Sequence, residues 1–268
     1  MTAGPQTGRV RWATRATLLA LQDPVEGIDR AALRLGFNRA PAARPETTPE
    51  WQARLHTALG VAWPCEEFAD FADRYAELTC ELREKGLTVG RGAYGGWDDA
   101  DRAFASAVWC LAAHTRARVL VETGVARGFT SRLLLEHCER LGAGHLWSID
   151  LPPIDSSLHE EIGSAVPERV RSRWTYIRGS SRKRLAGVLR NAGPVDLFVH
   201  DSLHTVRNVM FELGLAWPAL VPGGAAIVDD VHRNDGFTRF AEATSDAIAI
   251  VADHSDCQGA FGLLVRAR

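Results

Sequence analysis

The stretch LFVHDSLHT (197–205) ends an apolar run in Asp201 and places His204 three positions later. A carboxylate and an imidazole at that spacing can share one reacting hydroxyl, since an imidazole neutral near physiological pH accepts a proton. The plainer alternative is a strand end whose polar residues only start the next helix, with His204 facing solvent. A second acidic pair, Asp229 and Asp230, closes the run AAIVDDV (225–231). Three carboxylates on one rim repel one another without a cation, and their oxygens suit a hard ion such as magnesium, manganese or calcium. Asp201, Asp229 and Asp230 are therefore the candidate metal ligands. Adjacent side chains on a regular strand point to opposite faces, so the pair shares an ion only where the strand has already given way to loop. Otherwise Asp230 caps the next segment and Asp229 binds backbone. His200 should point away from Asp201, and His232 and Asn234 lie near enough to help bind a substrate.

A second cluster, VLVETGVARGFTS, puts Glu122, Gly124 and Gly128 where an apolar run turns into a helix. Glycines there let backbone approach a ligand, and the helix start offers unpaired N–H groups. The same glycines also serve any tight turn. Asp150 ends the next apolar run, 22 residues after Gly128, where an acid can bind ribose hydroxyls. Loop, acid and order together favour an adenosine-containing cofactor.

These residues need elements to position them. RVLVETG, HLWSIDL, WTYIRGS, VDLFVHD and AAIVDDV read as strands separated by helices, including one from Thr130 to Leu141 and one from about Leu203 to Leu220. AIAIVAD (247–253) and AFGLLVRAR (260–268) are too close for a helix between them, which predicts a terminal antiparallel hairpin. Alternating βαβ units imply a mostly parallel sheet with helices on both faces. The expected fold is α/β: a doubly wound, Rossmann-like seven-stranded sheet, with an N-terminal helical cap over residues 1–95 and the sheet domain over 96–268. Within the cap, residues 1–10 read as disordered, 24–37 as a short helix, 40–50 as a loop and 65–86 as a strong helix. In the glycine-rich segment that follows, Tyr94 and Trp97 can form a lid or simply pack, and Asp98 or Asp99 can cap a helix reaching Thr115.

Composition narrows the partners. The 268-residue chain carries a net charge of −2, which argues against nucleic acid or an anionic membrane. The arginine-flanked ATLLALQD loosely mimics a signal peptide, but its apolar part is too short, so a cytoplasmic protein is expected. Nothing opposes a homo-oligomer. The five cysteines are widely spaced with no CxxC or Cys/His cluster along the chain, so free buried thiols are expected rather than a zinc site or disulfides.

The E-T-G-V-A-R-G loop resembles the E-x-G-x-x-x-G motif of class I S-adenosylmethionine-dependent methyltransferases. FVHDSLHT and AWPALVPGGAAIVDDVHRND resemble their metal-dependent O-methyltransferase branches, of the catechol and macrolide-sugar types, over about residues 118–268. The resemblance implies that Gly124 and Gly128 contact S-adenosyl-L-methionine with Glu122 beside its amino-acid part, and that Gly179 and Ser180 meet the adenine. In the sugar-modifying branch an Asp-x-x-His supplies a metal ligand and the base, which fall on Asp201 and His204. The catechol branch carries lysine and asparagine where this chain has His204 and Asp230. The implied activity is Mg2+- or Mn2+-assisted methylation of a small-molecule hydroxyl, a saccharide or natural product among the acceptors. Residues 1–95 match no family pattern. The rivals are a metal-independent methyltransferase with His204 as base, a hydroxylase-like relative, a non-catalytic cofactor-binding subunit and an NAD-dependent oxidoreductase. A short-chain oxidoreductase would need Tyr-x-x-x-Lys, which none of the three tyrosines provides.

Overall fold

The computed structural model of the chain describes residues 23–34 and 44–268. Outside them lie the stretch expected to be disordered at 1–10, the segment that mimics a signal peptide, and the end of the helix expected over 24–37.

Five strands run parallel: β1 (Val119–Thr123), β2 (His145–Asp150), β3 (Trp174–Arg178), β4 (Val195–His200) and β5 (Leu220–Val228). β6 (Ala247–Asp253) and β7 (Ala260–Arg266) form the antiparallel hairpin, with β7 inserted between β5 and β6. The sheet order β3-β2-β1-β4-β5-β7-β6 reverses direction between β1 and β4. In doubly wound sheets that reversal opens a crevice beyond the strands' carboxyl ends, where ligands bind.

Alternate strand residues feed opposite faces, as the pleat requires. On one face Leu120, Leu197, Val199 and Ile227 pack against α4 (Arg102–Thr115) and α5 (Phe129–Leu141) through Val108, Leu111, Leu134 and Leu135. On the other, Val121, Phe198, Ala226 and Val228 meet α6 (Ser181–Ala192) and α7 (Val206–Ala219) through Leu185, Val188, Val209 and Leu213, with α8 (Gly236–Glu242) adding Phe237. Both faces are covered, so the strands read as continuous apolar runs.

The N-terminal helices are α1 (Pro24–Arg34), α2 (Trp51–Leu59) and α3 (Glu66–Glu84). α3 buries Phe71, Leu78 and Leu82 against Ala105, Trp109, Phe129 and Leu133 of α4 and α5. α2 is an element beyond those expected from the sequence; its Leu55 and Leu59 join the sheet-face core. α4 is capped by Asp101, whose carboxylate accepts from the Phe104 N–H at 2.8 Å, and not by Asp98 or Asp99. Asp99 instead forms a buried ion pair with Arg127. The thiols are free, but Cys80 and Cys257 are exposed rather than buried. Among the described residues no helix is long and apolar enough to cross a membrane.

Candidate active site

β4 ends at His200, and the ladder continues one residue further: the Asp201 N–H donates to Thr123 O at the end of β1. Likewise the Asp229 N–H donates to His200 O. These two bonds set Asp201 and Asp229 side by side on the rim. β5 ends at Val228, earlier than the run AAIVDDV suggested, and Asp230 turns with φ 55°. The strand has therefore broken before the acidic pair, which removes the alternation objection.

The grouping differs from the expected triad. Ligand atoms of Asp201, His204 and Asp229 lie within 4.8 Å of one another, and those of Asp229, Asp230 and His254 form a second such set. Asp201, Asp229 and Asp230 do not form a common set, because the turn at Asp230 carries its carboxylate to Arg233, 2.6 Å from Nε. His204 bridges the two: its Nε2 lies 3.8 Å from Asp201 and 3.7 Å from Asp230. Burial holds the His204 pKa below its usual value, against the pull of Asp230 and Asp229, which favours the neutral imidazole. Asp201 keeps about a third of its side-chain surface accessible, 34%. Its enclosure by protein, then the charges of Asp229 and Asp230, hold its carboxyl well above the carboxylate range.

His254, at the mouth of the β6–β7 hairpin, donates to Asp229 at 2.7 Å. Burial would lower its pKa, but the Asp229 hydrogen bond and charge raise it to about 9. The acidic rim is thus partly neutralised by His254 and Arg233. His254 has no signal in the sequence, since a lone histidine in a hairpin carries no pattern. A trace survives in Gly259: a Cβ there would stand 2.1 Å from the imidazole.

Beneath the rim, Glu212 of α7 is fully buried. It accepts from Ser202 and Asn208 at 2.8 Å, lies 2.6 Å from His200 Nδ1, and takes the Thr123 hydroxyl. Burial opposes its charge, yet His200, Ser181 and Thr123 carry its pKa down to about 2. This one carboxylate ties the ends of β1 and β4 to the 201–205 turn. His200 accordingly belongs beneath the site and not in it.

The residues expected to meet the cofactor stand at the ends of the first three strands: Glu122 in β1, Gly124 and Gly128 in the turn after it, Asp150 closing β2, and Gly179 and Ser180 just after β3. Glu122 is buried and accepts from the Ser131 and Ser148 hydroxyls at 2.6 and 2.7 Å; burial pushes its pKa up to about 7. Gly124 (φ 85°) has no room for a side chain, because a Cβ would sit 1.8 Å from Asp201 O. Gly128 (φ 83°) starts α5, packed against Gly163 and Val166. Asp150 accepts from the backbone of Val125 and Leu151, and burial pushes its pKa up to about 6 despite Arg30. Gly179 follows β3 beside the Arg184 side chain. The Ser180 hydroxyl donates to Asp23, which precedes α1.

Two segments contact the residues at these strand ends. α1 reaches over β2 and β3: Arg30 donates to Leu151 O at 3.2 Å, and Asp29 pairs with Arg182 and Arg207. The glycine-rich segment is clamped by Arg127 of the turn between β1 and α5, which is buried and bonds Thr88 O, Ala93 O, Asp99 and Glu161. In that segment Tyr94 packs away from solvent, whereas Trp97 is 47% exposed. The Trp97 ring stands 6.3 Å from the His204 ring and 5.7 Å from the Arg233 guanidinium.

A family described as a methyltransferase domain matches residues 121–231. Among solved structures, an O-methyltransferase from Streptomyces achromogenes involved in tomaymycin synthesis, in complex with SAM, aligns at TM-score 0.52 and 19% identity, covering 76% of this chain and 91% of that one. The O-methyltransferase from Bacillus cereus in complex with SAH aligns at TM-score 0.52 and 18% identity, covering 81% of this chain and 98% of that one. No curated protein matches the chain. The likeness shows a shared fold, and with the matched domain it bears out the resemblance to class I methyltransferases.

Proposed function

We propose that this chain, a methyltransferase domain with an added helical cap, transfers a methyl group from S-adenosylmethionine to a hydroxyl of a small-molecule or sugar-containing acceptor, aided by a divalent cation. The observation that carries this reading is the meeting of Asp201, His204 and Asp229 within 4.8 Å of one another, on the rim beside the glycine-rich crevice.

When bound, the cofactor supplies an electrophilic methyl group, and a cation such as Mg2+ or Mn2+ lowers the pKa of the acceptor hydroxyl. Asp201 and Asp229 would supply the hard oxygens such an ion prefers, leaving His204 free to act on the acceptor. His204, kept neutral by burial, accepts the acceptor's proton at Nε2, a role that contributes typically ~10²–10⁴-fold. Asp201 and Asp230, both within 4 Å of that nitrogen, stabilise the imidazolium that results. Gly124 and Gly128 line the cofactor, Glu122 faces its amino-acid end, Asp150 accepts from ribose hydroxyls, and Gly179 and Ser180 flank the adenine. Trp97 offers its face to the acceptor and narrows the path of water to the site.

A second reading, metal-independent transfer with His204 as base, draws support from His254 and Arg233, which already pair with Asp229 and Asp230. Calorimetric titration with S-adenosylhomocysteine and then Mg2+ separates the two. The primary reading expects tight nucleoside binding that Asp150→Ala weakens, and Mg2+ binding that Asp201→Ala removes. Undiminished methyl transfer in excess EDTA would leave only the second reading, and no nucleoside binding under any condition would end both.

A further inference from the structure

We infer that His56, Cys65, Cys110 and His114 form a structural zinc site that staples the N-terminal helices to the sheet domain. Along the chain these residues show no metal-binding spacing, with 8, 44 and 3 residues between successive members. Folding brings one ligand atom from each within 4.8 Å of all the others. A tetrahedral zinc ion, with Zn–S near 2.3 Å and Zn–N near 2.0–2.1 Å, places its ligand atoms roughly 3.3–3.8 Å apart, so the cluster needs only small adjustment.

Each ligand comes from a different part of the fold or a different turn of a helix. His56 lies in the last turn of α2 and is 1% exposed. Its Nδ1 is 2.6 Å from Gln52 O, the backbone contact that commonly fixes a metal-binding histidine with Nε2 free. That Nε2 points at Cys65, 3.0 Å from Sγ. Cys65 caps α3, where its sulfur accepts from the Phe68 N–H. Cys110 and His114 stand one turn apart on α4, the Cys110 side chain buried. His114 Nε2 is buried with no hydrogen-bond partner among the described residues, although a buried ring nitrogen ordinarily has one. Two thiolates and two imidazoles are a soft donor set that suits zinc over magnesium or calcium. On binding, the two thiols release their protons to solvent and the imidazoles coordinate unprotonated.

The site is remote in chemistry from the acidic rim, so the two can be tested apart. Protein expressed in zinc-containing medium and dialysed in reducing buffer should retain one zinc per chain by mass spectrometry of the metal. Cys110→Ser should lose it, and Asp229→Asn should keep it. Stripping with a strong chelator should lower the melting temperature by about 10 °C, reversed by Zn2+ alone. Should Cys110→Ser fail to fold, the wild-type chain decides the matter: Co2+ replacement should give thiolate-to-cobalt charge transfer and the visible bands of a tetrahedral centre. A stripped chain that takes up no Zn2+, a Co2+ spectrum of six oxygen ligands, or a native Cys65–Cys110 disulfide would overturn the site.

Discussion

Glu212 and His200 meet 2.6 Å apart, both side chains fully excluded from solvent. Through Glu212 this pair reaches Thr123, Ser202 and Asn208, so one buried charge sets the path of the turn that presents Asp201 and His204. Removing the Glu212 carboxylate leaves buried polar groups on Thr123, His200, Ser202 and Asn208 without their acceptor, which costs about 1–3 kcal/mol. Glu212→Ala should therefore lower stability by that amount in urea titration, with loss of transfer following from the displaced turn. A change below about 0.5 kcal/mol would show that the network does not hold the rim.

His254 gives the molecule an alkaline limit. Its folded pKa of about 9 stands above the ordinary histidine value of about 6.5. A raised histidine pKa stabilises fully below the unfolded value, and that stability is lost as pH rises through the folded value. Melting temperature should fall between about pH 6.5 and 9, by an amount corresponding to roughly 3 kcal/mol, and His254→Gln should flatten the fall. If the cation binds Asp229, Mg2+ should also lower the His254 pKa read by NMR, which metal-independent chemistry does not require.

Arg127→Ala should release the 88–99 segment and leave Asp99 buried without its partner. A loss of about 3–5 kcal/mol is expected, with new proteolytic cleavage in that glycine-rich stretch. Lysine should not restore it, since four acceptors, three in the 88–99 segment and one on Glu161, need the guanidinium fork. Unchanged proteolysis would dissociate Arg127 from the segment's order.

Trp97→Ala tests the acceptor face. The side chain is half exposed, so stability should change by no more than about 0.5 kcal/mol. KM for the acceptor should rise while affinity for S-adenosylhomocysteine stays constant. An unaltered KM would return Trp97 to ordinary packing.

Gly124→Ala distinguishes a glycine needed by the ligand from one needed by the fold. Its Cβ would stand 1.8 Å from Asp201 O at a φ of 85°. A backbone clash of that depth should abolish stable folding, read as loss of the cooperative melt. A folded variant impaired only in cofactor binding would assign the glycine to the ligand.

The sequence by itself determined the sheet, since apolar runs spaced by amphipathic helices leave the βαβ order little freedom. It also put Glu122, Gly124, Gly128, Asp150, Asp201 and Asp229 on one rim, because strand ends in a parallel sheet share an edge. Only the tertiary structure decided which side chains meet there. Asp229 found His254 from the far hairpin and Ser180 found Asp23, through contacts between residues distant in the chain, while a left-handed turn swung Asp230 to Arg233 three residues on. The same holds for His56, Cys65, Cys110 and His114: periodicity reports which face a residue occupies, whereas convergence of side chains depends on how helices cross, and that is fixed by packing.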